Sequence, residues 1–326
     1  MQIQNKGVTN MRTISALFVL ALLLSFTCLC SGCAGPTAAL KIEKSPHDWD
    51  GASLYQEYYG RDPEKLRPTL DKDLERTALE LSKCSDEATL GSLHDRRAEI
   101  YIVLGQMKEA RVDLEEALKC FKSSTYTAGQ CECLNLMALC SFIEKDYGNA
   151  EKLLVQAKDL GTEKTPTMEY NMALVYEAQG KNKQALEIYD RLLKNASGRT
   201  DSVLFARAGL YSTMGRLDPA LQDFSSLAGK RNSQNLSAKS FYYMGSIYEL
   251  KKNPSQALKS YKAVIAEATF GWSEDKAKAL LEKGGVSITG DMLAKSEKIV
   301  EEAGNLATDG FLAKAQEKIK ALEGGK

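Results

Sequence analysis

Hydrophobic positions along this chain fall into two unlike patterns. From Ile14 to Leu29 they form one nearly unbroken block, ISALFVLALLLSFTCL. From about Glu64 onward, apolar residues recur every three or four positions among charged and polar ones, the period of a helix with one buried face. That period predicts a helix at Glu64–Lys83, then a long series of helix pairs, then helices at Ser273–Lys283, Thr289–Ala303 and Gly310–Leu322. A short helix is expected at Ala52–Tyr59. Between the two regimes, Pro36 to Asp50 shows no helical period, and with Gly35, Pro36, Pro46 and Gly51 along it this stretch reads as a flexible tether.

Within the helical part, five segments repeat one pattern: a small residue, an aromatic three later, Gly or Lys four after that, Ala five further on, then a large apolar and a small or aliphatic residue. The first holds Ala98, Tyr101, Gly105, Ala110, Leu114 and Ala117, and the second Ala138, Ser141, Lys145, Ala150, Leu154 and Ala157. The third holds Ala173, Tyr176, Gly180, Ala185, Tyr189 and Leu192. In the fourth stand Ala208, Tyr211, Gly215, Ala220, Phe224 and Leu227, and in the fifth Gly245, Tyr248, Lys252, Ala257, Tyr261 and Val264. The small residues let two helix backbones approach closely. The glycines sit where the first helix of each pair must stop in a left-handed turn. Thr165-Pro166 and Asn253-Pro254 read as N-cap followed by proline in the first helical position.

This pattern resembles the tetratricopeptide repeat, a 34-residue helix–turn–helix unit. With first residues 91, 131, 166, 201 and 238, the spacings are 40, 35, 35 and 37, and the departures from the family length fall in loops between units. The resemblance implies an all-α, right-handed α-solenoid: five repeats over 91–270, N-terminal helices over 51–90, and capping helices over 271–326. Asp71–Lys83 is a candidate half of a degenerate sixth unit.

The apolar block follows Lys6 and Arg12, no acidic residue occurs before Glu43, and the small residues Ser31 and Gly32 lead to Cys33. Charge, greasy segment and slim cleavage site are the layout of an export signal over 1–32, with Met11 the better start and 33–50 the tether. Leu29-Cys30-Ser31-Gly32-Cys33 resembles the lipobox of bacterial lipoproteins, in which the cysteine becomes the lipid-bearing N-terminus. Cys30 stands where that family has Leu. Cys28 and Cys30 are poorer candidates than Cys33. An uncleaved anchor and plain secretion are the alternatives, since Ile14–Cys33 is about long enough to cross a bilayer. Acyl chains on Cys33 would contribute about 0.8 kcal/mol per buried methylene. Ala34 in place of the family's retention Asp implies an outer-membrane lipoprotein facing the periplasm, with another cell membrane, lipid- or signal-anchored, as the alternative.

Charge changes the picture little. The 43 basic and 43 acidic side chains cancel, and removing the leader leaves 41 against 43, so nothing points to nucleic acid. His47 and His94 are the only histidines, without an obvious partner. No glycine-rich phosphate loop, HExxH or GxSxG occurs, and Glu115-Glu116 and Glu301-Glu302 read as solvated faces. No catalysis, cofactor or metal is expected. Cys131-x-Cys133 lacks zinc spacing. Beyond Cys33 stand Cys84, Cys120, Cys131, Cys133 and Cys140. Either Cys120 pairs with Cys131 or Cys133, or these thiols are buried as small hydrophobes.

Tetratricopeptide arrays curl so that their first helices line a concave groove. By that resemblance Tyr170, Phe205 and Tyr242 occupy one groove slot in successive units, with Asn171 and Tyr243 beside them and Asn135, Leu136, Leu139 and Phe142 in the second unit. Exposed aromatics in a row suit an extended peptide or a partner's helix. Packing between neighbouring helices is the alternative. Ala98, Ala110, Ala138, Ala150, Ala173, Ala185, Ala208, Ala220, Gly245 and Ala257 are the expected repeat-packing positions. The function this implies is a membrane-anchored scaffold for assembly or regulation of a cell-envelope complex, with envelope proteins or peptides as partners. The alternatives are a lipid-anchored receptor for a peptide or small ligand, and a regulatory subunit of an envelope enzyme.

Overall fold

Twelve α-helices and no strand make up the secondary structure of the described residues. The computed structural model describes residues 39–42, 49–52, 63–163, 165–195, 200–230, 234–269, 277–278, 281, 298, 301, 308 and 310–324, all in one unit, Ala39–Lys326. The leader with Cys33, most of the helix expected at Ala52–Tyr59, and those at Ser273–Lys283 and Thr289–Ala303, apart from single positions, lie outside the described residues.

Helix α1 (Pro63–Lys83) precedes five hairpins: α2 (Glu87–Val103) with α3 (Met107–Ser123), α4 (Thr127–Ile143) with α5 (Tyr147–Asp159), α6 (Thr165–Ala178) with α7 (Asn182–Lys194), α8 (Thr200–Thr213) with α9 (Leu217–Leu227), and α10 (Gln234–Leu250) with α11 (Pro254–Thr269). Helix α12 (Phe311–Gly324) packs on α11. Each helix packs against the next along the chain, within and between hairpins, which is the stacking of a helical solenoid.

What lets the helices stack is small side chains at the crossings. All nine alanines expected there are fully buried, and Gly245, which takes the first-helix position in unit five, is buried too. The large residue four after each second-helix alanine is also fully buried: Leu114, Leu154, Tyr189, Phe224 and Tyr261. Both ends of the stack are covered. Leu66 and Leu70 of α1 pack with Ile100, and Ala315 of α12 joins the cluster of Ala257, Tyr261 and Val264.

The hairpin turns are alike in all five units. Gly105, Lys145, Gly180, Gly215 and Lys252 have φ between 55° and 74°, in the left-handed region. In each, the next amide reaches back to close the helix, as Lys181 N does to Tyr176 O and Asp146 N to Ser141 O, both at 2.8 Å. Only glycine adopts this φ without strain. Nothing lies within 4 Å of where a Cβ would sit on Gly180, so conformation alone opposes a side chain there. Gly180→Ala is therefore expected to cost about 1–2 kcal/mol. Lys145→Gly and Lys252→Gly are expected to stabilise by about 0.5–1 kcal/mol each, glycine's chain entropy offsetting part of the relieved strain. Urea midpoints with unchanged slope check both signs.

Helix starts follow local chemistry. Asp86 accepts from Thr89 N at 2.8 Å, Asp146 from Asn149 N at 3.1 Å, and Asn253 from Gln256 N at 3.2 Å, each satisfying an amide the helix leaves orphaned. Thr165 differs from its expected role as a cap. It is the first helical residue, and its hydroxyl donates back to the Thr162 carbonyl at 2.7 Å.

Polar pairs repeat with the units. Arg97 and Asp113 occupy the seventh and twenty-third slots of unit one, as Arg207 and Asp223 do in unit four, and both pairs are bidentate at 2.6–2.8 Å. The same slots hold Met137 and Leu153 in unit two and Met172 and Ile188 in unit three. A second pair links slots twelve and twenty-four. The buried Tyr261 hydroxyl donates to Glu249 at 2.8 Å, and that of Tyr189 donates to Glu177. In unit four Phe224 has no hydroxyl to satisfy, and Ser212 replaces the glutamate.

Candidate peptide-binding groove

The first helices α4 and α6 carry two asparagines that sequence reading placed in the groove. Both are buried, Asn135 at 1% exposure and Asn171 at 0%. A buried side-chain amide has four hydrogen-bonding positions and is costly if they stay empty. Here the partners come from the chain's own Trp49 and Asp50, at the end of the stretch read as tether, and from Gly51 just after it. Asn171 accepts from Asp50 N at 2.9 Å and donates to Asp50 O at 2.9 Å, pairing with both main-chain groups of one residue. Asn135 donates to Asp50 O at 2.8 Å and accepts from the Trp49 indole N–H at 3.0 Å. The two amides also bond each other, Asn171 Nδ2 to Asn135 Oδ1 at 2.8 Å.

Trp49 is fully buried, its ring tilted against Phe142 with centroids 5.2 Å apart. Further along the array, Leu40 N donates to Ser212 O at 3.1 Å, and Ile42 joins a cluster with Ala208, Phe224 and Ile247. The described pieces of the N-terminal stretch thus lie against the repeats, from unit four at Leu40 to units two and three at Trp49 and Asp50.

The structure brings some of the expected groove residues together and separates others. Tyr170 is 5% exposed and packs on Tyr189 of its own unit, centroids 6.1 Å apart. Phe205 and Tyr243 meet across units four and five at 6.0 Å, and Tyr243 stacks on Phe224 at 5.7 Å. Tyr242 meets Tyr243, Tyr261 and Phe311. The three aromatics of one slot, Tyr170, Phe205 and Tyr242, therefore sit in three clusters, the last two joined through Tyr243, with much of their surface spent on neighbouring rings. At the far end lies a cavity of about 560 Å³ whose lining includes Tyr242, Tyr243 and Phe311 together with Lys314, Lys318 and Glu249. Lys318 is paired with Glu249 at 2.8 Å, and burial raises the Tyr242 hydroxyl pKa.

At the unit-one end the polar groups are acidic. Cys133 donates to Asp95 at 3.5 Å. Burial, with Glu99 and Glu132 nearby, pushes the Asp95 carboxyl up to about 7, the thiol bond acting in the opposite direction. The native state then holds a proton that the unfolded chain has lost between about pH 4 and 7, so stability from this group is complete at the acid side and lost as pH rises through about 7. The contribution of this group to the thermal midpoint is expected to fall between about pH 4 and 7, and Asp95→Asn, neutral throughout, to flatten that fall. A midpoint that rises over this range would contradict the assignment.

All five described cysteines are free, and Cys120, Cys131, Cys133 and Cys140 are buried. Burial raises the thiol pKa of Cys133 and pushes that of Cys140 up to about 12, so neither is a thiolate at neutral pH. His94, without a partner in the sequence reading, contacts Asp113 at 2.8 Å beside Arg97, because slots four and seven of one helix both face slot twenty-three of the next. No described helix is long and apolar enough to cross a membrane.

Sequence reasoning passed over Trp49 altogether. The available signal was a large apolar residue, one of two tryptophans in the chain, inside a stretch otherwise read as solvated tether.

Comparison with known proteins bears on the repeats. Residues 168–198 and 239–268, in units three and five, match the sequence model of the tetratricopeptide repeat. No characterised protein matches the chain by sequence. Among solved structures, the chain is similar to one described as the functional characterization of Pseudomonas aeruginosa pilF, with 17% identity over 73% of this chain and 100% of that one, TM-score 0.46. It is also similar to the apo form of RapI, with 16% identity over 82% of this chain and 99% of that one, TM-score 0.50. At 16% identity the likeness to the latter is one of fold alone.

Proposed function

We propose that this stack of tetratricopeptide repeats is a scaffold, tethered to a membrane through lipid on Cys33, whose groove holds non-helical segments of other cell-envelope proteins. It performs no chemistry of its own. Tetratricopeptide repeats suit contacts between proteins, and the observation that carries the reading is more specific. Two buried amides from successive units are spent on the main chain of a bent, non-helical segment, Asn171 on Asp50 N and O and Asn135 on Asp50 O. Such pairing supports holding a non-helical stretch of polypeptide through its main chain. The outer membrane, facing the periplasm, is the proposed location, on the strength of the residues around Cys33.

Crosslinking in intact cells tests the reading. Asn135→Ala combined with Asn171→Ala is expected to remove the crosslinked partner species while helicity and abundance persist. Unchanged crosslinks would overturn the groove as the binding surface. Cys33→Ser is expected to move the protein from the membrane to the soluble fraction and abolish incorporation of labelled fatty acid. A second reading, capture of a small ligand, is favoured by the cavity walled by Tyr242, Tyr243 and Phe311. A small molecule co-purifying with the protein, lost on Lys314→Glu, would support it.

A further inference from the structure

We infer that Trp49–Ala52 is a resident occupant that a partner must displace, and that the partner presents the same chemistry: a non-helical segment with tryptophan followed two residues later by glycine at a bend. This rests on the groove reading above and adds to it both a specificity and a regulation.

The specificity follows from three contacts. The Trp49 indole N–H donates to Asn135 Oδ1 at 3.0 Å, a bond that phenylalanine cannot make. The ring beside Phe142 is fully buried, so a smaller side chain would leave a void. Gly51 has φ +76°, and a Cβ added there would lie 2.8 Å from Asn135 Nδ2. Every other residue is therefore disfavoured twice, by conformation and by collision with the clamp itself. Between them, Asn171 addresses only the main chain of Asp50. The groove thus reads tryptophan and, two residues on, a glycine in a left-handed bend, with the buried Asp50 between them. Within this chain Trp49-Asp50-Gly51 is the one such sequence, since Trp272 is followed by Ser273 and Glu274.

The regulation follows from connectivity. The resident segment belongs to the same chain as its clamp, 85 residues from Asn135 and 121 from Asn171. A tethered occupant acts at an effective concentration on the order of millimolar, so a free peptide of equal intrinsic affinity at about 1 μM is disfavoured roughly a thousandfold. Only a partner with further contacts, or an event that pulls the N-terminal stretch away, opens the site. Leu40 N on Ser212 O and Ile42 N on Thr213 Oγ1 hold the same stretch further along, so withdrawal there loosens both anchorages.

The test uses a fluorescent peptide spanning residues 46–54, titrated into the full chain. Trp49→Ala in the protein is expected to tighten peptide binding at least about tenfold over wild type, by removing the tethered competitor. Adding Asn171→Ala is expected to abolish the gain, as is replacing the peptide's tryptophan or its glycine with alanine. Equal binding to wild type and Trp49→Ala would overturn the proposal, and so would equal binding of a scrambled peptide. Should Trp49→Ala fold poorly, Gly51→Val in the full chain ejects the segment without altering any repeat. Hydrogen exchange of wild type is an independent check: the Asp50 amide is expected to be protected and to lose protection under excess peptide. Exchange at the free-chain rate would sink the idea, and so would protection that appears only in dimers exchanging the segment between copies. If peptide binding fails while crosslinking in cells still depends on Asn135 and Asn171, this inference alone falls. If both fail, the groove reading falls with it.

Discussion

Arg207→Ala is expected to destabilise the chain by about 3–5 kcal/mol, the cost of leaving a buried carboxylate without its partner. Asp223 is 5% exposed and takes two bonds from the Arg207 guanidinium, which those bonds hold above its already high pKa. Arg207 also reaches Asp190 of the preceding unit, but that carboxylate is 56% exposed and its pairing contributes under about 1 kcal/mol. The chain contains its own control. Units two and three place methionine and an aliphatic residue in these slots, Met137 with Leu153 and Met172 with Ile188, and stack in the same way. Arg207→Met with Asp223→Ile is therefore expected to lose less than about 1 kcal/mol or to gain stability, since a packed apolar pair carries no desolvation cost. Denaturant midpoints of the single and double variants decide the matter. A double variant as unstable as Arg207→Ala would mean that unit four needs the ion pair itself.

Gly245→Val and Tyr261→Ala are each expected to cost about 3 kcal/mol, for opposite reasons, and to compensate one another in part. A Cβ on Gly245 would come within 2.6 Å of the Tyr261 ring, so valine forces the ring or the helix aside. Removing the fully buried Tyr261 ring leaves a void and takes away the bonds its hydroxyl makes with Ser246 and Glu249. Together the valine methyls enter the space the ring vacates. The double variant is expected to lie at least about 1 kcal/mol above the sum of the two losses, a coupling that residues not in contact do not show. Additive losses would mean that α10 and α11 do not cross where the structure places them.

How far the sequence could be read depends on the range of the forces involved. Helix termini, the left-handed turns and the buried alanines are set within one or two turns of chain, or by a period repeated five times. Gly180 or Ala185 could therefore be assigned a position without coordinates. The pairing of Arg97 with Asp113 was less legible. Two residues sixteen apart meet only because the hairpin folds back in one register, and charged residues at those slots look like ordinary solvated ones. The groove was legible only as a surface. Tyr170, Asn171, Phe205, Tyr242 and Tyr243 share slots, yet the structure sends the three aromatics of one slot into three clusters and leaves the asparagines as the residues that hold backbone. A slot says which way a side chain leaves the helix, not what meets it.

The sequence by itself determined the helices, their turns, the repeat and the small residues at the crossings, because each depends on neighbours a few positions away. Only the tertiary structure decided that Trp49, Asp50 and Gly51 belong with Asn135 and Asn171. That contact joins groups 85 to 121 residues apart through a segment with no period of its own, and it becomes favourable only once the stacked helices have built a buried, polar site to receive it.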